Sequence, residues 1–149
     1  GLIVIALNLA MSPWLPEVLK AGTTNHTWWQ ALLAAFYGGI AEELQLRLGV
    51  LTFVAWGLHK LFKKSDMVLS DGIFWSANVF AALLFGIAHL PATAALTPLT
   101  AIVVFRALVL NGLPGLVFGV LYRRRGLEAA MVSHFITDLV IHLLPTLFV

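Results

Sequence analysis

Residues 27–62 read TWWQALLAAFYGGIAEELQLRLGVLTFVAWGLHKLF. This apolar run of about 35 residues exceeds the roughly 20 needed to cross a bilayer. Glu42, Glu43, Gln45, Arg47 and His59 interrupt it. Two arrangements are expected: one long helix that tilts and protrudes, or a break near Gly49 into a span and an interfacial helix. Either way the stretch reads as membrane helix with ionisable groups at its middle.

Composition supports the same solvent. Of the 149 residues, 60% are hydrophobic and 11% charged, with a mean hydropathy of +0.95. Soluble domains carry roughly 25% charged residues, and a fold of this size could not bury so much apolar surface. The net charge of +2 does not point to nucleic acid. The cations form two short clusters, Lys60/Lys63/Lys64 and Arg123/Arg124/Arg125, beside apolar runs and without aromatic interleaving, which suits positive-inside anchors. With no cysteine, disulfides, thiolate metal sites and a cysteine nucleophile are excluded.

Working outward, the chain predicts an all-α polytopic bundle of about five spans in one domain, 1–149. Residues 1–11 resemble the tail of a truncated span, and Ser12-Pro13 and Pro16 end it. Loop chemistry follows to His26, including Gly22 and Asn25. After the 27–62 run, Ser70-Asp71 resembles an N-cap before a span to about Leu90. Pro91 and Pro98 bracket a connection. The next run, Leu99 to Tyr122, is expected to kink at Asn111-Gly112-Leu113-Pro114-Gly115, and Leu127 to Val149 is the last. With Lys60–Lys64 on the cytoplasmic side, the next two helices leave and return, delivering Arg123–Arg125 to that side. Trp28, Trp29 and Trp56 read as interfacial belt residues.

Glu42, Glu43, Arg47, Arg106 and Asp138 lie within these spans, joined by His89, His134 and His142. Insertion scales assign about 2.5–3.5 kcal/mol to a central charge, so five unpaired ones would cost on the order of 12–17 kcal/mol. That rivals the whole stability of a typical domain. The groups are therefore expected to pair or converge on a wet cavity. Glu43 and Arg47, four apart, share a helical face and can pair. Glu42, turned about 100° away, stays available. Phe85 and His89 share a face. His134 and Asp138 are four apart, so the carboxylate either orients the imidazole or points beside it. Arg106 is expected to partner Glu17, Glu43 or Asp138, and His26, His59 and His142 to be interfacial or core residues.

Such a set suits peptide hydrolysis, which needs an activated water and a stabilised tetrahedral oxyanion. A carboxylate in a low-dielectric site is a competent general base near neutral pH. The expected roles are Glu42 taking the water's proton, His89 holding or polarising that water, and His134 donating to the oxyanion. Asp138 orients His134 or, if protonated, contributes directly, while Glu43 and Arg47 hold the helix and Phe85 supports. The same residues leave open zinc at Glu42, His89 and His134. The missing HExxH chelate leans towards a protein-held water without a cofactor.

Glu42-Glu43-Leu44-Gln45-Leu46-Arg47 matches EExxxR, Phe85-Gly86-Ile87-Ala88-His89 matches FxxxH, and His134-Phe135-Ile136-Thr137-Asp138 matches HxxxN/D. In that order, each in an apolar span, they resemble the CAAX prenyl endopeptidase and bacteriocin-processing (CPBP, or Abi) family of intramembrane proteases. The resemblance runs from about Ala34 to Val149 and includes the Leu121-Tyr122-Arg123-Arg124-Arg125-Gly126-Leu127 turn. It implies a cavity within the bilayer and proteolysis by Glu42 with His89 and His134. Asp138 stands where eukaryotic CAAX proteases carry Asn, which points to a bacterial or archaeal branch in a prokaryotic cell membrane and weighs against prenyl-CAAX specificity. Arg106 belongs to no motif of that family.

Two other classes compete. A non-catalytic membrane scaffold or sensor would be expected to show degenerate motifs, and all three are intact. A proton-coupled transporter would be expected to show broken helices in both halves, and one break, at Asn111–Gly115, is expected. Expected partners are the lipid bilayer and a membrane-associated peptide or protein substrate, with no nucleic acid.

Overall fold

The computed structural model describes residues 1–20, 27–62 and 69–143. His26, the Gly22 and Asn25 loop signals, Lys63, Lys64 and the end of the last expected span lie outside them. The described residues are all-α. Helix α1 is Leu2–Met11, followed by single 3₁₀ turns at Ser12–Trp14 and Glu17–Leu19. Then come α2 (Trp28–Phe36), α3 (Thr52–Leu61), α4 (Asp71–Ala88), α5 (Leu90–Ala94), α6 (Ala101–Arg125) and α7 (Leu127–Asp138).

The 27–62 run is helical without a break. A capping box between Thr27 and Gln30 starts α2, where the side-chain oxygens relieve orphan N–H groups. The chain then widens into π-helix over Tyr37–Glu42 and Leu44–Leu51 before α3. Gly49 therefore does not split a span from an interfacial helix. The hydroxyls of Thr52 and Tyr122 meet at 2.9 Å, which sets Thr52 level with the end of α6. Helix α3 consequently runs on past that end, so the long helix protrudes.

Helix α4 starts at Ser70 as expected, although the Ser70 side chain makes no capping bond. Its outer face, Trp75, Val79, Phe80, Leu83 and Ile87, is exposed, while Phe74, Ala77, Asn78, Ala81, Ala82, Phe85 and Gly86 are buried. One apolar face thus meets the bundle and the other, equally apolar, meets the surroundings; lipid is the solvent that tolerates this. Residues 71–94 and α6 are each long and apolar enough to cross a membrane, with mean hydropathies of 1.7 and 2.0.

The kink expected at 111–115 does not interrupt α6, which continues through Pro114. Those glycines serve packing instead. A Cβ on Gly86 would lie 2.9 Å from Leu108 Cα, and one on Gly115 would lie 3.4 Å from Ala82 Cα. On Gly119 it would collide with the Asn78 amide. Small residues let the two backbones approach, the usual source of helix association in lipid. Gly126 then turns the chain with φ 93°, a conformation L side chains rarely adopt. Helix α7 folds back along α6, so Phe118, eight residues before the turn, stacks on His134, eight after it. Helix α1 and the turns after it pack on α6 through Met11, Leu15, Leu19, Val103 and Leu110.

Candidate active site

The centre of the bundle is polar. Glu43 and Arg47 are fully buried, and His134 and Asp138 nearly so. Arg47 Nε donates to Glu43 Oε2 at 3.0 Å and Nη2 to Oε1 at 3.3 Å. The pair expected from the four-residue spacing is formed. The second partner of Glu43 is His134, whose Nδ1 lies 2.9 Å from Oε1. A carboxylate held by a guanidinium accepts, so Nδ1 carries the proton and Nε2 is left without that partner. Orientation of His134 therefore comes from Glu43 rather than Asp138.

Nε2 faces two carboxylates, Glu42 Oε2 at 3.7 Å and Asp138 Oδ2 at 3.6 Å. Both separations exceed a direct hydrogen bond, and Glu42 keeps 20% of its side chain exposed. Glu42 and Glu43 thus bracket one imidazole at its two nitrogens, although they are sequence neighbours expected to diverge by 100°. Both flank π-helical turns, whose wider winding brings successive side chains closer in direction and which recur at functional sites. Helix α7 comes this close because residues 38 and 39 are glycines. A Cβ on Gly38 would collide with the Asp138 carboxylate and lie 3.1 Å from His134 Nε2, while one on Gly39 would lie 3.0 Å from Met131 O.

Aromatic rings close the sides. Phe118 stacks on His134, centroids 4.6 Å apart at 21°, and Phe85 meets it edge-on at 5.6 Å. The Arg47 guanidinium carbon lies 5.9 Å from each of these two rings. His89 is not in the same hydrogen-bonded group. Its Nδ1 is bonded to Phe85 O at 2.9 Å, and its ring meets Phe85 edge-on at 4.8 Å. It reaches the cluster through that phenyl ring. Counting 1.5 Å per residue from the cationic ends puts His89 about 27 Å along α4 and His134 about 13 Å along α7, which explains the offset.

One further expectation is corrected, and an alternative left open is narrowed. Among the described residues Arg106 pairs with no acid: its Nε donates to Asn8 Oδ1 at 2.7 Å. Helix α1 supplies an amide in place of the expected carboxylate. Among the described residues no three His, Asp or Glu side chains are grouped to hold a metal ion. Glu42, His89 and His134 are not gathered around one point for zinc: His89 is tied to the Phe85 carbonyl and its ring lies against Phe85. Phe118, Gly38 and Asn8 carried no motif. The one available signal for Phe118 was its equal distance from Gly126 with His134.

A helical membrane protein with a buried Glu–His–Arg cluster is thereby defined, and its family follows from comparison. The family model described as "Type II CAAX prenyl endopeptidase Rce1-like" matches residues 24–140. The chain belongs to that family, which makes it an integral membrane protein of the CPBP protease group. No curated protein and no solved structure matches the chain.

Proposed function

We propose that this protein is a multi-pass intramembrane endopeptidase that cleaves a membrane-associated peptide or protein, with Glu42 as general base. The observation that carries the reading is His134 Nε2 flanked by Glu42 and Asp138 while Nδ1 is tied to Glu43. Separations of 3.6–3.7 Å suit a water or substrate oxygen bridging the three groups.

Water oxygen adds to the scissile carbonyl carbon as its proton passes to Glu42. His89 donates from Nδ1 to the Phe85 carbonyl and braces the phenyl ring that lies against His134, so it supports the site without touching that water. In its protonated form His134 donates from Nε2 to the oxyanion, and a protonated Asp138 adds a second donor. The C–N bond then breaks, and Glu42 returns the proton to the leaving amine. Glu43, itself held by Arg47, anchors Nδ1 of His134 before the step begins. The Lys60 and Arg123–Arg125 ends face the cytoplasm on the positive-inside rule, in a prokaryotic cell membrane.

The test is cleavage of a panel of membrane-anchored peptides, with and without a prenylated CAAX end, by the purified protein. Glu42→Ala and His134→Ala should each lower turnover by at least about a hundredfold. Equal turnover in wild type and both variants defeats the assignment. Full activity after chelation, with metal analysis demonstrating a metal-free sample, removes zinc as the water-activating group.

A further inference from the structure

Hydrogen bonds alone leave His134 underdetermined. Its Nδ1 is tied to Glu43, but one bond permits the ring to rock about that contact, swinging Nε2 away from Glu42 and Asp138. Neither carboxylate is close enough to stop it, at 3.7 and 3.6 Å. What fixes the plane is Phe118, itself 3% exposed, lying nearly parallel to the imidazole at 4.6 Å. The same phenyl ring approaches the Arg47 guanidinium, whose Nη1 is buried without a hydrogen-bond partner. Phe118 and Phe85 together thus line the Arg47 guanidinium and the His134 ring where polar partners run out.

We propose that Phe118 is a positioning residue for the hydrolysis described above: its ring face holds the plane of His134 and favours the protonated imidazole that donates to the oxyanion. The inference rests on that functional reading. An aromatic face attracts a cation through its quadrupole, more strongly where water is excluded. A parallel stack also blocks rotation of the imidazole while leaving its in-plane nitrogens free. An aliphatic side chain of similar volume fills the space but supplies neither effect. The backbone provides for this contact, since the single-residue turn at Gly126 sets α6 and α7 in the register that brings the two rings together.

The experiment compares Phe118→Met, which keeps volume, with Phe118→Tyr, which keeps the ring, in the purified full chain. Phe118→Met should lower kcat by about tenfold or more while KM stays within about twofold, because the loss falls on the transition state. It should also displace the limb of the kcat–pH profile that reports the protonated group, so that activity is lost at lower pH than in wild type. Phe118→Tyr should recover kcat to within about threefold and restore the profile. A wild-type kcat and profile in Phe118→Met overturns the proposal. So does an equal fall in both variants accompanied by a lowered melting temperature, which is what packing alone predicts. If Phe118→Met does not fold, Phe118→Leu is judged by the same two readouts. Turnover that survives Glu42→Ala and His134→Ala defeats the functional reading itself and takes this inference with it. Loss in those two variants with no effect at residue 118 defeats this inference alone.

Discussion

At the scale of single residues, the site separates two neighbouring glutamates by what holds them. Glu43 is saturated by Arg47 and His134, whereas Glu42 touches His134 only at 3.7 Å and remains partly open. Removing one partner from a buried pair leaves an uncompensated charge, so Arg47→Met should cost about 3–5 kcal/mol of stability. Its melting temperature in detergent should fall well below that of Glu42→Gln, and equal values would refute the distinction. Asp138 offers a second contrast. If it serves as a hydrogen-bond donor, Asp138→Asn should keep turnover within about threefold, and Asp138→Leu should lose about a hundredfold, the usual effect of deleting one oxyanion donor. Equal loss in both would tie the role to charge. The Glu43–Arg47 pairing was legible, because a four-residue spacing on a helix makes neighbours of any two side chains. The bond from Glu43 to His134 was not, since it joins residues 91 apart in the chain.

At the scale of elements, glycine decides how near the helices lie. Gly86 meets Leu108 Cα, and Gly39 meets Met131 O, both backbone atoms that cannot yield as a side-chain end can. Gly86→Ala and Gly39→Ala should therefore each cost about 1–3 kcal/mol, the range for overpacking. Gly57→Ala, where a Cβ would meet nothing within 4 Å, should be neutral or better when melting is followed in detergent. The same reasoning accounts for the continuity of α6. Asn111-Gly112-Leu113-Pro114-Gly115 carries every local sign of a break, yet α6 continues. Gly112 and Gly115 face α4, and contact with a partner helix holds the segment in a conformation that local preference alone would disfavour.

At the scale of the whole molecule, the bundle has a cationic end and an opposite one. Thr52 meets Tyr122, and Arg123 Nη2 meets Asp71 Oδ1 at 2.7 Å, so the starts of α3 and α4 gather at the end of α6. Leu61, where α3 runs out past that end, and Leu96, beyond α5, are both exposed. Because the chain contains no cysteine, Leu61→Cys and Leu96→Cys provide unambiguous reporters. In sealed vesicles an impermeant maleimide should label them from opposite sides, and labelling from one side would break the topology. The exposed apolar faces of α4 and α6 and the polar centre are two parts of one arrangement: outward contacts are left to lipid, and the ionisable groups are gathered where they can neutralise one another.

Residue order by itself determined the membrane class, the helical runs, the family resemblance and the set of groups around the centre. Each of these depends on composition or on spacing along one helix, which a linear chain encodes directly. Tertiary structure alone decided which carboxylate holds His134, that His89 stands off behind Phe85, that Arg106 leans on Asn8, and that Phe118 lies flat against an imidazole. Those outcomes depend on the rotation and depth of one helix against another. Interhelical distance and register come from steric fit between glycines and bulky side chains, and no periodicity within a single segment records them.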